Sequence, residues 1–286
     1  MNDTRAPLAL VLGSVTRDFI RGQSGTRPGG VVVHGGIAHA RLGARVRVVT
    51  RVRAEDASDL LAPLEAEAVQ VLPLPSAATT TYVLDYTGAV DVHELVAASD
   101  PITPDDVPLD WRRANCVHLG PLHRGDLAPG LAASLDGMVG LDVQGLLRES
   151  GPEGTRLRPN PELPLHLDGV HVVQVSASEL RALIGGESGT ALEFARRYGV
   201  PELIVTRGRR GATVIADGAE VDVEPEPANG ANTVGAGDTF LAAYLEARVL
   251  TRCSPANAAR AAGRVTAQKI EHGGVPKGID LEKLCG

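Results

Sequence analysis

The stretch Asn229-Gly230-Ala231-Asn232-Thr233-Val234-Gly235-Ala236-Gly237-Asp238-Thr239-Phe240 runs a loop of small residues into a helix, with one carboxylate at the joint. Gly235, Ala236 and Gly237 carry no side chain beyond Cβ, so backbone N–H groups at the helix start can approach an anion, helped by the helix dipole. Asp238 follows at once, and a carboxylate in a first helical turn is favoured as an anion, ready to accept a proton. Beyond it Phe240, Leu241, Tyr244, Leu245 and Val249 recur at the spacing of a buried helical face. The stretch reads as a phosphate site with a base built in; a favourable N-terminal charge beside a tight turn is the plainer alternative. Two familiar phosphate motifs fail. The chain has no Gly-Lys-Ser/Thr triplet, and Phe240 stands where a dinucleotide fingerprint needs its third glycine.

Working outward, the upstream chain alternates strand and helix patterns. Leu8 to Leu12 is a short apolar run ending at Gly13, and Arg45 to Thr50 and Val69 to Leu72 read as further strands. Helices are expected at His34 to Leu42 and Glu55 to Glu67, which gives βαβα order and a parallel sheet with helices on both faces. Thr79 to Ala98 changes character: Thr-rich alternation, a turn at Tyr86-Thr87-Gly88-Ala89, then Val90 to Val96 pairing back. This segment, with about 14–34 and the run Val31 to Val33, reads as a small lid sheet; two ordinary edge strands are the alternative. The rhythm resumes with strands at Asn115 to Leu119 and Met138 to Val143, a helix between them at Leu127 to Leu135, and a strand at Val170 to Val175. Leu192 to Tyr198 is helical and Leu203 to Val205 a strand. Ala212 to Ala216 and Glu220 to Val223 form a hairpin around Asp217-Gly218, and Pro255 to about Glu271 is the last helix. Nothing cuts residues 1–286 into two, so one domain with a lid from about 14–34 and 79–98 is expected.

A net charge of −7 gives no electrostatic footprint for nucleic acid, and aromatics at 3% leave little for base stacking. No window approaches the roughly 20 apolar residues of a membrane span, so no membrane partner is expected. Cys116, Cys253 and Cys285 are odd in number and lack metal-type spacing, which points to reduced thiols and a cytoplasmic setting. Pairs such as His34 and His39, or His118 and His123, stand five apart, so they do not share a helix face as zinc ligands would.

Phosphoryl transfer asks that a nucleophile lose its proton, that the phosphoryl oxygens be neutralised, and that both be held in line. Asp238 answers the first need, and the amides of Gly235, Ala236 and Gly237 the second. Glu179, opening a helix after an apolar strand, is a candidate to orient a hydrated Mg²⁺; an ordinary first-turn acid is the alternative.

With these residues in view, Asn232-Thr233-Val234-Gly235-Ala236-Gly237-Asp238-Thr239-Phe240 resembles the C-terminal signature of the ribokinase-like (PfkB) carbohydrate kinases, and Pro28-Gly29-Gly30 through Ala40-Arg41-Leu42-Gly43 resembles their N-terminal glycine motif. The resemblance implies a three-layer α/β/α sandwich with a mostly parallel central sheet and a small β lid, with ATP as donor, Mg²⁺, and a sugar or polyol hydroxyl as acceptor. It makes Asp238 the base and Gly235 to Gly237 the anion hole, and sets Asp18, Gly29, Gly30 and His34 around the acceptor. Ser176 and Glu179 fall near the nucleotide phosphates and metal, Thr206, Gly208 and Gly211 against ATP, and Ala262 beside the adenine. Three positions depart from the pattern. Asn232 replaces an Asp, which argues against a family-type monovalent cation site; His34 and Ser176 each replace an Asn.

Within the family, Thr79-Thr80-Thr81, Ala98-Ser99-Asp100-Pro101-Ile102-Thr103-Pro104 and Gly140-Leu141-Asp142-Val143-Gln144-Gly145-Leu146-Leu147-Arg148 look most like myo-inositol kinases. In that likeness Asp142 and Gln144 face the polyol and Arg148 the phosphate; capping of the next helix is the other reading of Asp142 and Gln144. A ribose, fructose or nucleoside kinase, or a sugar sensor without turnover, are the alternatives, and a monomer and a homodimer are both compatible with the sequence.

Overall fold

The apolar run Leu8–Leu12 forms β1, and all but its first residue are buried, as a strand covered on both faces requires. The computed structural model of which it is part describes residues 6–87, 92–151, 154–184, 189–230 and 233–286. After β1 the chain leaves the main sheet for Thr16–Ile20 (β2) and Arg27–Gly29 (β3), then returns as the helix Val31–Arg41 (α1). Val31, Val32 and Val33 are the first turn of α1, not lid strand; Gly30, at φ +87°, lets the chain turn straight from β3 into helix.

Arg45–Val52 (β4), Ala54–Glu65 (α2) and Gln70–Pro75 (β5) follow. Thr81–Asp85 (β6) and Val92–Ala97 (β7) pair antiparallel; Gly88 and Ala89 of the expected turn lie outside the described residues. Arg113–Leu119 (β8) and Asp136–Asp142 (β9) pair parallel. The helix expected between them at Leu127 to Leu135 is absent as an α-helix; only a single turn of 3₁₀ helix forms at Ala132–Ser134. Pro129 and Gly130, the latter at φ +77°, break the backbone before a second turn can form.

Next come Gln144–Leu147 (α3), the short hairpin Arg148–Gly151 (β10) with Gly154–Leu157 (β11), and Leu163–Leu167 (α4). Val172–Ser176 (β12), Ala177–Leu183 (α5), Ala191–Tyr198 (α6) and Glu202–Thr206 (β13) lead to the hairpin Ala212–Ala216 (β14) and Ala219–Val223 (β15). Its turn has positive φ at both Asp217 and Gly218, the geometry a two-residue hairpin prefers. Ala236–Leu250 (α7), Pro255–His272 (α8) and Leu281–Cys285 (α9) close the chain.

The nine-stranded sheet runs β15-β14-β13-β12-β9-β8-β1-β4-β5, parallel except where β14 meets its neighbours. Successive strand residues bury on opposite faces. Val11 joins the core beneath α1, α2, α7 and α8, while Leu10 and Leu12 join the one that includes Leu180 of α5 and Phe194 of α6. A second sheet, β3-β2-β6-β7, is the lid.

Two features were hidden from the sequence. Cys253 and Cys285 are joined as a disulfide that ties α9 to the turn after α7, against the expectation of three reduced thiols. The fold brings them together across 32 residues, a separation that carries no spacing signal. In the core, His39 of α1 holds Glu246 of α7 at 2.6 Å through Nδ1, with Cys116 and His118 of β8 beside them. Burial keeps the His118 imidazole well below its ordinary pKa and pushes the Cys116 thiol well up. This fully buried pair clamps α1, which carries His34, to α7, which carries Asp238.

Candidate active site

Asp238 sits in the first turn of α7, one residue past the small-residue turn, and lines a cavity of about 240 Å³. Gly235 is the N-cap at φ 71° and packs so closely on α1 that an added Cβ would lie 2.4 Å from His34 Cγ. Of the three expected amides, that of Ala236 donates to the Thr233 carbonyl at 3.0 Å. Those of Gly235 and Gly237 have no such backbone partner among the described residues. The Gly235 and Gly237 amides are therefore the candidates of the three to meet an incoming anion. Burial pushes the Asp238 carboxyl above its ordinary pKa, and His34, then Arg148, then Lys269 pull it back toward the anion.

The same cavity is lined by Asp18, Gly30, His34, Asp142, Gln144 and Arg148. Gly29 is not on its wall; it leaves room for Asp18, whose Oδ2 an added Cβ would meet at 2.2 Å. Burial raises Asp18 to about 6, against the Thr16 hydroxyl and the Arg148 charge. Asp142 is raised to about 7 by burial first and then by the carboxylates of Glu179 and Asp238. Its Oδ1 accepts from the Gln144 backbone N–H at 2.8 Å at the start of α3, whose N-cap is Val143 with no side-chain cap. Arg148, grouped by the resemblance with the phosphate ligands, lies on the lid side of this cavity, over the Tyr82 ring and 3.2 Å from His93 Nδ1.

A larger cavity, of about 530 Å³, opens on the other side of the turn. Thr206, Gly208 and Gly211 line it, with Val223 and Pro225 beside them. Ala262 does not: it is fully buried in the core, at the inner edge of the α8 face on which its neighbours Ala259, Gly263, Thr266 and Ala267 line the space. Thr233, Ala236 and Gly237 line both cavities, so the two meet at the N-terminus of α7.

Ser176 and Glu179 border neither cavity; they form a capping box in which Glu179 Oε2 accepts from the Ser176 amide at 2.7 Å. The first-turn-acid reading of Glu179 is thus realised. Burial first, and then the charges of Glu179 and Asp238, raise Asp142; among the described residues these three carboxylates do not converge as a direct metal-ligand group, so only a cation held through water would fit between them.

Residues that sequence reasoning missed come from distant segments. Gln174 of β12 donates through Nε2 to Asp142 Oδ2 at 2.9 Å and to the Gly237 carbonyl at 3.1 Å, tying the two walls of the site together. The signal available was a lone amide within the run Val172-Val173-Gln174-Val175. Tyr82 and Leu84 of β6 close the lid side of the acceptor cavity, and Lys269 of α8 donates to the Val234 carbonyl beneath the turn.

A mostly parallel sheet, a four-stranded lid and two cavities meeting at a helix N-terminus are the architecture of the ribokinase fold. A solved structure of a pyrophosphate-dependent kinase in the ribokinase family, complexed with a pyrophosphate analog and myo-inositol, matches with a TM-score of 0.80 and 26% identity over 97% of this chain and 98% of that one. The Arabidopsis thaliana ribokinase complexed with ribose and ATP shares the fold, with a TM-score of 0.76 and 22% identity over 98% and 99% of the two chains. Residues 148–280 match the model of the pfkB family of carbohydrate kinases. Among curated proteins, inositol 3-kinase of Zea mays is 32% identical over 191 residues, 63% of this chain; the match spans 46% of that protein's length.

Proposed function

We propose that this chain is a kinase that moves the γ-phosphoryl group of ATP to a hydroxyl of a small polyol, myo-inositol first. The observation that carries the reading is the position of Asp238 where an acceptor-sized cavity meets a larger one. The acceptor lies among Asp18, His34, Asp142, Gln144 and Arg148, with its reacting oxygen toward Asp238. Asp238 takes the hydroxyl proton as that oxygen bonds to phosphorus and the bond to the β-phosphate oxygen breaks, releasing ADP. The Gly235 and Gly237 amides and the α7 dipole meet the charge on the transferring group. Mg²⁺ supplies charge neutralisation at the donor phosphates when bound, and Glu179 and Asp142 are the residues that would hold it through water. Thr206, Gly208 and Gly211 lie against the nucleotide, and Ser176 holds Glu179 in place.

Two relatives favour the acceptor: the Zea mays protein acts on inositol, and the pyrophosphate-dependent neighbour was solved with myo-inositol. The latter raises a second reading, pyrophosphate as donor. The larger cavity favours ATP, because its walls of Val223, Pro225, Phe240, Ala259 and Ile270 offer apolar surface that pyrophosphate would leave unused.

The test is a panel of myo-inositol, ribose, fructose and adenosine with ATP or pyrophosphate and Mg²⁺, read by product formation. The expected result is turnover with ATP and greatest kcat/KM for myo-inositol. Turnover with pyrophosphate alone overturns the donor assignment, and no turnover with any acceptor leaves the sensor reading in its place.

A further inference from the structure

Lys269 comes from α8, fills space behind the turn, and is only 6% exposed. Its Nζ donates to the carbonyl of Val234, the residue that leads into Gly235. The ammonium also acts on two site groups: it lowers the pKa of Asp238 and that of His34. The charged or titratable groups acting on Asp238 are His34 from α1, Asp142 from β9, Arg148 from β10 and Lys269 from α8. Of the cationic ones, His34 is held below its ordinary pKa by burial, and so is no standing charge near neutrality. Arg148 belongs to the acceptor wall. Burial lowers the Lys269 pKa too, from an ordinary value of 10.5 and against the opposing pull of the Asp238 carboxylate, and its ammonium supplies positive charge from the protein side. A carboxylate base and an incoming phosphoryl group are both anionic, and a fixed cation near them lowers the cost of bringing them together.

Behind the turn, Lys269, Val234, His34 and Thr239 also line a cavity of about 240 Å³, which Asp18, Arg27 and Arg41 border as well. The side chain thus reaches its partner beside open space large enough for a small ion.

We propose that Lys269 is the resident monovalent cation of this site: its ammonium fixes the Val234 carbonyl, and with it the Gly235–Gly237 turn, and offsets the Asp238 carboxylate, so that turnover needs no added potassium or ammonium. Lys269 is a positioning residue, since it acts through the turn and through Asp238. The inference rests on the kinase reading above.

The experiment compares wild type, Lys269→Met, Lys269→Ala and Lys269→Arg. Wild type should turn over equally in a buffer whose only cation is a bulky amine and in one containing excess potassium chloride; stimulation of about tenfold or more by potassium overturns the proposal. Lys269→Met should lose roughly 10- to 100-fold in kcat with a smaller change in acceptor KM, and its acidic limb should move to higher pH. Lys269→Arg should recover much of the rate, and ammonium chloride part of the rate of Lys269→Ala. A kcat and pH profile unchanged in Lys269→Met, or a loss that neither the Arg variant nor ammonium repairs, overturns it. If the Met variant does not fold, wild-type cation dependence and the Arg variant decide. An activity-independent readout separates this proposal from the kinase reading. By NMR the His34 imidazole should titrate at higher pH in Lys269→Met than in wild type, and no shift overturns the placement of the charge even if wild type phosphorylates nothing.

Discussion

A methyl group on Gly235 would meet the His34 ring at 2.4 Å from Cγ, in a backbone conformation with φ +71° that side chains rarely adopt. Gly235→Ala is therefore expected to destabilise the protein by about 1–3 kcal/mol and to displace the turn from Asp238. Thermal melts and steady-state kinetics check it: a lower Tm together with kcat reduced about tenfold or more is expected, and an unchanged kcat would show that the turn does not position the chemistry. At this scale the sequence was most legible where chemistry is local. Asp238 and its glycines are neighbours in the chain, and the helix-start pattern names them without a structure. Gln174 and Lys269 touch the same few atoms from 63 and 35 residues away, and no local pattern announces such contacts. The Ala236 amide was misjudged because a turn hydrogen bond to Thr233 depends on where the preceding loop goes.

The helix α8 shows what periodicity can and cannot assign. That a helix runs from Pro255 and stops at a glycine was readable from its cap and breaker residues, and Ser254 does cap it while Gly273 ends it in the left-handed conformation. Which of its faces meets the larger cavity was not, since every face is rich in alanine; Ala262 points into the core, and Gly263 faces the space. An added Cβ at Gly263 has only Glu226 Cγ nearby, at 3.6 Å. Gly263→Leu should thus stabilise the helix by several tenths of a kcal/mol to about 1 kcal/mol while occupying the cavity. The expected outcome is a raised ATP KM with acceptor KM nearly unchanged and Tm equal or higher. A raised acceptor KM with ATP unaffected would reverse the assignment of the two cavities. The missing helix at Leu127 to Leu135 teaches the opposite lesson: a helical spacing of leucines yielded to one Pro-Gly pair inside it.

Across the whole molecule, the strand–helix alternation made the parallel sheet legible, whereas the meeting of β9, α5 and α7 at one point was not. That meeting gathers Asp142, Glu179 and Asp238 and has a thermodynamic signature. Asp18 is raised to about 6 and Asp142 to about 7, both above their unfolded value of 3.8. The folded state then binds more protons than the unfolded one between these values, so these groups lower stability as pH rises through about 4 to 7. A divalent cation held through water by Asp142 and Glu179 should offset the Asp142 part of the loss. Magnesium is expected to raise Tm more at pH well above this window than below it. Asp142→Asn should narrow that difference, and a magnesium effect independent of both pH and Asp142 would detach the ion from this cluster.

The most direct test of the account is Asp238→Asn, which keeps shape and packing while removing the proton acceptor. It should lower kcat for phosphorylation of myo-inositol by ~10²–10⁴-fold while ATP binding, measured by calorimetry on the same preparation, stays within a fewfold of wild type. Equal loss of both, or turnover that survives, would contradict the claim that this carboxylate takes the acceptor's proton where the two cavities join.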